Sequence, residues 1–180
     1  MPKNAEGQEA PIEKDVRKLR KFIKGTRIAM FTTVAADGKL RSRPMATLKG
    51  GFDGDLWFIT RSSAPKTEEI RDNQHVNVAY ADGDDDRYVS ISGTATLVRD
   101  PAKVQELWSR RLRDWFPNGK KDPDLALIRV RIERAEVWDA RTATMTHLEG
   151  LGAVLAKQRS SRAEDRGPVP PEPGSVGAGA

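Results

Sequence analysis

Two short connections between strand-like segments constrain the fold of this chain more than any other feature. The segments Ile28–Val34, Leu40–Leu48 and Leu56–Thr60 are separated only by the turn-forming stretches Ala36–Lys39 and Lys49–Gly54. Turns of this length join antiparallel strands, whereas a parallel pair needs a crossover of about a dozen residues or more. The spacing therefore predicts a mainly β fold in which the first strands form hairpins.

Three further segments show the period-two alternation of half-buried strands. Val76, Val78 and Tyr80 alternate with polar residues, Tyr88–Val98 repeats the pattern with a bulge or bend expected at Gly93, and Leu125–Val137 adds a sixth strand. Six strands with close hairpins predict a small antiparallel barrel, closed or half-closed, with short helices between strands.

The remaining segments predict helices and tails. An amphipathic helix is expected from Ile12 to Gly25, a short helix over Pro65–Asp72, a third from Pro101 to about Arg113, and a weak one over Leu148–Gln158. The chain is therefore divided into a disordered tail (1–11), one barrel domain (12–148), and a weak helix followed by a Pro/Gly-rich tail expected to be disordered from about residue 160 (149–180).

Composition excludes several classes of function. The 180 residues include no cysteine, which excludes disulfides, thiolate metal sites and thiol catalysis. No run of apolar residues is long enough to span a bilayer, and the N-terminal stretch does not resemble a secretory signal, so a cytoplasmic protein without membrane partners is expected. A net charge of +5 does not by itself indicate nucleic-acid binding.

Basic and hydroxyl side chains collect where one hairpin ends and a helix begins. Arg41 and Arg43 lie two residues apart on one strand and so share a face. The loop Arg61–Pro65 (Arg-Ser-Ser-Ala-Pro) leads into the helix that carries Lys66 in its first turn. Helix N-termini present unpaired N–H groups and a favourable dipole to anions. The pattern predicts a phosphate site and, on small strands, a phosphorylated cofactor.

The order and spacing of these motifs resemble the pyridoxamine 5'-phosphate oxidase-like family of FMN-binding split barrels, and more narrowly its general stress protein 26 branch. The resemblance covers about residues 12–140 and rests on Arg41–Met45, Trp57–Thr60, Lys66 and Glu136–Asp139. It implies a six-stranded antiparallel split β-barrel. It also implies a homodimer with flavin mononucleotide (FMN) at the subunit interface.

The resemblance implies a role for each matching position. Arg43, Ser63 and Lys66 would bind the flavin phosphate, the backbone from Met45 to Thr47 would run under the isoalloxazine ring, and Ile59 and Thr60 would contact ring and ribityl. Pro44, on the same strand as Arg43, and Trp138, an aromatic side chain for the pocket, complete the set. The candidate cofactor-binding residues are therefore Arg43, Pro44, Met45, Thr47, Ile59, Thr60, Ser63, Lys66 and Trp138. Trp115 and Tyr88 are further candidates for lining the pocket.

The chain departs from the vitamin B6 oxidases of the family in two places. Pro65 precedes Lys66 where those enzymes carry an arginine, and the C-terminal segment lacks their substrate-binding histidine. Pyridoxamine phosphate oxidation is therefore not expected, and no catalytic acid or nucleophile is identified. A flavin-dependent oxidoreductase or stress-related flavoprotein, using a nicotinamide cofactor or another small-molecule substrate, is the preferred interpretation.

Several alternatives stay open at the level of sequence. FAD or a deazaflavin (F420) could replace FMN, the protein could be a flavin sensor or store without turnover, or it could be a basic interaction protein with an empty barrel. The acidic run Asp82–Asp86 lacks the spacing of a calcium loop, and His75 and His147 have no ligand partners in sequence, so no metal is predicted. The basic run Arg110–Arg113 carries no nucleic-acid motif.

Overall fold

The computed structural model describes residues 11–148 and 151–165. Its helices and strands, in chain order, are α1 (Pro11–Gly25), β1 (Ile28–Val34), β2 (Leu40–Ala46), β3 (Asp55–Arg61), α2 (Pro65–Asp72), β4 (His75–Asp82), β5 (Arg87–Val98), α3 (Pro101–Leu107), β6 (Leu125–Asp139), β7 (Thr144–Leu148) and α4 (Leu151–Asp165). Two 3₁₀ turns, Arg110–Asp114 and Gly119–Lys121, lie between α3 and β6.

The strands form one antiparallel sheet in the order β2-β1-β4-β5-β6-β3, with β7 paired to the second half of β6. The sheet does not close, since β2 and β3 are the ends of this order. The predicted class, a mainly β antiparallel split barrel, is confirmed. β7 is a seventh strand that the sequence interpretation missed.

The bulge expected at Gly93 is present where β5 crosses β6. The pairing register shifts between Ser92 and Gly93. A Cβ atom added at Gly93 would lie 2.1 Å from the carbonyl oxygen of Arg131, so only glycine allows this close approach of the two backbones. The bulge therefore bends β5 at this point.

Two apolar cores fill the molecule. The larger one joins the inner face of the sheet to α1 and α4 through residues such as Phe31, Phe58, Ile91 and Leu155. The smaller one lies on the other face of β3, beneath α3 and the turns that follow it, and includes Trp57, Leu107 and Phe116. Because successive side chains of a strand point to opposite faces, β3 contributes to both cores.

The ends of α3, α4 and β2 differ from their predicted positions. α3 ends at Leu107 rather than near Arg113, because Trp108 adopts an extended backbone and its ring turns toward Phe116, 6.5 Å away between ring centroids. α4 continues through residues 160–165, which were expected to be disordered. β2 ends at Ala46, two residues before the predicted end. Of the predicted tails, residues 1–10 and 166–180 lie outside the described residues.

Candidate functional site

The row of side chains on the inner face of β2 becomes progressively less buried toward its start. Met45 is buried in the larger core, Arg43 is half-buried, and Arg41 is exposed. All three point the same way because they alternate along the strand. The two guanidinium groups are thus presented beyond the apolar interior, at the end of the sheet where α2 packs against β1 and β5.

The turn before α2 is built from its own sequence. Pro65 occupies the first helical position, where its missing N–H costs nothing. The Thr67 hydroxyl donates back to the carbonyl oxygens of Ser62 (2.8 Å) and Ala64 (2.7 Å), which fixes the entry into the helix. No side chain caps the helix at Ala64. The start of α2 is therefore fixed, and with it the positions of Lys66 and Glu69 in the first one and a half turns of the helix.

A buried carboxylate organises the site, and we call its surroundings the Glu69 cluster (Thr33, Arg41, Arg43, Lys66 and Glu69). Glu69 Oε2 accepts from Arg43 Nη2 at 2.9 Å and from the Thr33 hydroxyl at 2.5 Å, while Oε1 accepts from Arg41 Nη1 at 3.2 Å. Burial raises the pKa of Glu69, but the bonds from Thr33 and Arg43 outweigh it and leave the pKa below its usual value. Glu69 is therefore ionised and holds both arginines.

Lys66 completes the cluster. Its Nζ donates to the Thr60 hydroxyl at 3.1 Å, which links α2 to the end of β3. Burial and the nearby Arg43 guanidinium lower the pKa of Lys66, although Glu69 partly opposes the shift. Three cations thus face a single carboxylate. The cluster carries an excess of two positive charges, which a phosphate dianion would neutralise.

Ser62 and Ser63 are held by an acid that the sequence interpretation missed. Asp124 Oδ1 accepts from the Ser62 hydroxyl and the Ser63 N–H, and Oδ2 accepts from the Ser63 hydroxyl, all at 2.8 Å. These bonds lower the pKa of the Asp124 carboxyl. The predicted phosphate ligand Ser63 therefore lies in the same turn as Lys66, with its hydroxyl donated to Asp124. No local sequence pattern marks Asp124, since it acts across 61 residues.

The residues predicted to contact the ring lie on different faces of the sheet. Met45 lies on the same face as Arg43, whereas Pro44 is exposed on the opposite face. Thr47 follows the strand and donates its N–H to the Arg27 carbonyl at 2.9 Å. Ile59 packs against the smaller core, on the face of β3 opposite Thr60. The chain thus brings Arg43, Thr60 and Lys66 together directly, and places Met45 and Ser63 beside them.

Trp138 lies at the other end of β6 from Thr60, the hydrogen-bond partner of Lys66. Thr60 pairs with Ala126 near the start of β6, whereas Trp138 pairs with Tyr88 and Met145 near its end. Twelve residues of strand separate these positions, on the order of 40 Å of extended chain. A shallow depression lined by Tyr88, Trp138 and Met145 lies there. Along β6, Trp138 is therefore far from Thr60 within one chain.

Charged side chains in and near the acidic turn Asp82–Asp86 form ion pairs with one another. Arg141 contacts Asp85 (3.4 Å) and Asp86 (3.9 Å) in the acidic turn between β4 and β5, and Arg87 contacts Asp139 at 3.3 Å. Over residues 11–148 and 151–165, no group of three or more His, Cys, Asp or Glu side chains could hold a metal ion. In the same part of the chain, no helix combines the length and apolarity that crossing a bilayer requires.

Comparison with known proteins identifies the family and the fold. A sequence model of the family described as "Pyridoxamine 5'-phosphate oxidase like" matches residues 14–161. Protein bli-3 of Neurospora crassa is 30% identical over 139 residues, which cover 71% of this chain and 66% of that protein, just under two thirds of its length. General stress protein 26 of Bacillus subtilis is 30% identical over 115 residues, covering 62% of this chain and 80% of that protein.

Among solved structures, a general stress FMN/FAD binding protein from Xanthomonas citri superposes with a TM-score of 0.62. Its sequence is 30% identical, and the match covers 71% of this chain and 89% of that one. The whole region containing β1 to β7 falls within the family match, including every member of the Glu69 cluster.

Proposed function

This chain belongs to the pyridoxamine 5'-phosphate oxidase-like family, and we propose that it binds a flavin nucleotide, FMN in the first place, with the phosphate held at the Glu69 cluster. The observation that carries the proposal is the charge balance of that cluster. Arg41, Arg43 and Lys66 surround one buried carboxylate, and Glu69 fixes the two arginines without neutralising the group. The Xanthomonas citri relative is described as an FMN/FAD binding protein, which supports the same ligand class.

The residues present fit such a ligand by the chemistry of their donors. Arg43 and Lys66 would donate charge-assisted hydrogen bonds to the phosphate, with Arg41 adding a more exposed positive charge. Ser63 would contribute its hydroxyl in place of its bond to Asp124. When bound, the flavin supplies hydride or electron transfer, while this chain's side chains bind the group, orient it and exclude water.

The proposal includes a homodimer with the flavin at the interface. Trp138 lies at the far end of β6 from Thr60, so in this proposal it contacts the flavin from a second copy of the chain. The outer face of the sheet offers apolar side chains for such contact, since Ile28 is 49% exposed, Met30 is 42% exposed and Met145 is 51% exposed. Exposed apolar side chains on one sheet face favour burial against a partner.

A titration of the purified protein with FMN tests the proposal. We expect FMN to acquire the altered visible spectrum of a bound flavin and to raise the unfolding temperature. A ligand at a hundred times its dissociation constant contributes about 2.7 kcal/mol to stability. Sedimentation of the same samples should show a dimer that holds the flavin. A protein that takes up no FMN would overturn the proposed ligand, and a monomer that binds FMN tightly would overturn the shared site.

A further inference from the structure

The segment after α3 presents one aromatic side chain to solvent. Trp115 follows the 3₁₀ turn Arg110–Asp114 and is 66% exposed, whereas its neighbour Phe116 is 3% exposed in the smaller core. The other tryptophans of this region, Trp57 and Trp108, are buried or half-buried against that same core. The Trp115 indole therefore presents a large aromatic face to solvent, on which a planar ligand can stack.

The backbone around Trp115 is fixed. The N–H groups of Trp115 and Phe116 both donate to the Leu112 carbonyl, at 3.1 and 2.9 Å, and Gly119 N–H donates to the Phe116 carbonyl at 2.9 Å. The Phe116 ring packs against Trp108 in the smaller core. The backbone that carries the Trp115 indole is therefore ordered in advance, which lowers the entropic cost of binding a base there.

Arg61 adds a cation to this surface. Its Nη2 donates to the Trp115 carbonyl at 2.7 Å and its guanidinium lies 5.8 Å from the centroid of the Phe116 ring, yet the side chain is 52% exposed. Arg61 Nη1 is 3.7 Å from Asp124 Oδ2, a carboxylate already engaged by Ser62 and Ser63. Arg61 therefore has a fixed position and retains exposed area for a second anionic partner.

The charge of the surrounding segment has the same sign. Between positions 108 and 124 the sequence contains five basic and three acidic residues, the basic ones being Arg110, Arg111, Arg113, Lys120 and Lys121. None of the residues in the two 3₁₀ turns is buried. Trp115 and Arg61 thus combine an aromatic stacking face with a cation in a basic environment, which is the chemistry that recognises a nucleobase carrying a phosphate.

This surface flanks the same turn as the Glu69 cluster. β3 ends at Thr60 and Arg61, which point to opposite faces. Thr60 accepts from Lys66, while Arg61 contacts Trp115. The Ser62-Ser63 turn lies between them and is held by Asp124. Lys66 and Arg61 therefore lie on either side of one turn, with Trp115 next to Arg61.

We propose that Trp115 and Arg61 form an adenylate-binding subsite beside the flavin phosphate site, with the adenine stacked on Trp115 and its phosphate paired with Arg61. This inference rests on the proposed function, because it extends the same binding site. The adenylate belongs either to the second half of FAD or to a nicotinamide dinucleotide bound next to FMN. Both sources present the same chemistry to the protein.

The test compares the full chain with Trp115→Ala and Trp115→Phe in calorimetric titrations of FMN, FAD and AMP. We expect the wild type to bind FAD about tenfold more tightly than FMN, within the range for stacking a base on an aromatic side chain. Trp115→Ala should abolish that difference and leave FMN affinity unchanged, whereas Trp115→Phe should retain part of it. Arg61→Ala should weaken AMP and FAD but not FMN.

A second titration distinguishes the two sources of adenylate. If FAD binds no more tightly than FMN, NADPH and NADH are titrated into the FMN-loaded protein, and Trp115-dependent binding assigns the subsite to the nicotinamide dinucleotide. Affinities for FAD, NADPH, NADH and AMP that are all insensitive to Trp115→Ala would overturn the subsite. Loss of FMN binding in the wild type would instead overturn the proposed function. AMP binding that depends on Trp115 would then still support the subsite.

Discussion

Two groups of charged side chains in this molecule each combine basic side chains with at least one carboxylate, and they differ in charge balance. In the smaller core, Lys103 Nζ lies 2.7 Å from Asp53 and 3.1 Å from Glu106, and 5.0 Å from the Trp57 ring centroid. At the end of the larger core, the Glu69 cluster places three cations around one carboxylate. In the first group the carboxylates outnumber the cation, and in the second the cations are in excess.

The difference separates a structural ion pair from a binding site. Lys103 is only 6% exposed, and Asp53 also accepts from the Trp57 indole N–H at 2.9 Å, so the donors and acceptors satisfy one another. In the Glu69 cluster the carboxylate is fully hydrogen-bonded, and the cluster keeps a net positive charge. Arg41 is exposed, but Arg43 and Lys66 are half-buried, and an excess of partly buried positive charge favours an anionic ligand at that place.

The largest expected effect is on folding, through Lys103→Met. Removing the cation leaves Asp53 partly buried without its ion pair, and breaking a buried pair costs about 3–5 kcal/mol. Urea denaturation should show this loss in the free energy of unfolding, while the ratio of FMN to riboflavin affinity stays unchanged. The matched control is Glu106→Gln, which removes the more exposed partner and should cost about 1 kcal/mol or less. A change in the FMN to riboflavin ratio on Lys103→Met would erase the distinction between the two groups.

A smaller effect, on both folding and binding, is expected for Arg43→Ala. The variant removes the 2.9 Å bond to the buried Glu69 carboxylate and one donor to the phosphate. Each loss is expected to be about 1.5–3 kcal/mol, the range for a hydrogen bond to a charged group. Denaturation and FMN titration measure the two losses separately. If riboflavin affinity fell as much as FMN affinity, Arg43 would serve the ring or the fold and not the phosphate.

The smallest effect concerns the dependence of stability on pH. Thr33 and Arg43 hold the pKa of Glu69 below its usual value, so its contribution is complete above about pH 4.3, the ordinary glutamate pKa. The contribution is lost as pH falls through the lower pKa of the folded state. Glu69→Gln should therefore show a shallower loss of unfolding free energy between neutral and acid pH than the wild type. Equal slopes for both proteins would mean that Glu69 is not held as an ionised group.

The hairpins, the order of the first strands and the start of α2 were predictable because they depend on local signals. Gly38 has a positive φ of 77° and closes the first hairpin as its Asp-Gly sequence predicts, and Pro65 begins α2. β7 was missed because five residues with little apolar alternation give no periodic signal. α3 was predicted to be too long because Trp108 and Leu112 pack on the smaller core, and that packing outweighs the helix propensity of the arginine-rich segment.

The cations of the site were predictable, but the acids that organise them were not. Arg43 and Lys66 stand out by their position next to a strand end and a helix start. Glu69 reads as an ordinary helical glutamate, and only the packing of α2 against β1 brings it to within 2.5 Å of the Thr33 hydroxyl. Besides its predicted role toward the phosphate, Arg43 forms a structural ion pair with Glu69. Asp124 likewise acts across the fold, from the start of β6.

The most direct test of the account compares FMN with riboflavin in Lys66→Met. Lys66 bonds only to the Thr60 hydroxyl among the hydrogen bonds described for it, so the variant should fold normally. We expect FMN affinity to fall at least about tenfold. Riboflavin has no phosphate, so its affinity should stay unchanged. The exposed Lys18→Met on α1 is the matched control and should change neither. Equal losses for FMN and riboflavin, or no loss for either, would contradict a phosphate site at the Glu69 cluster.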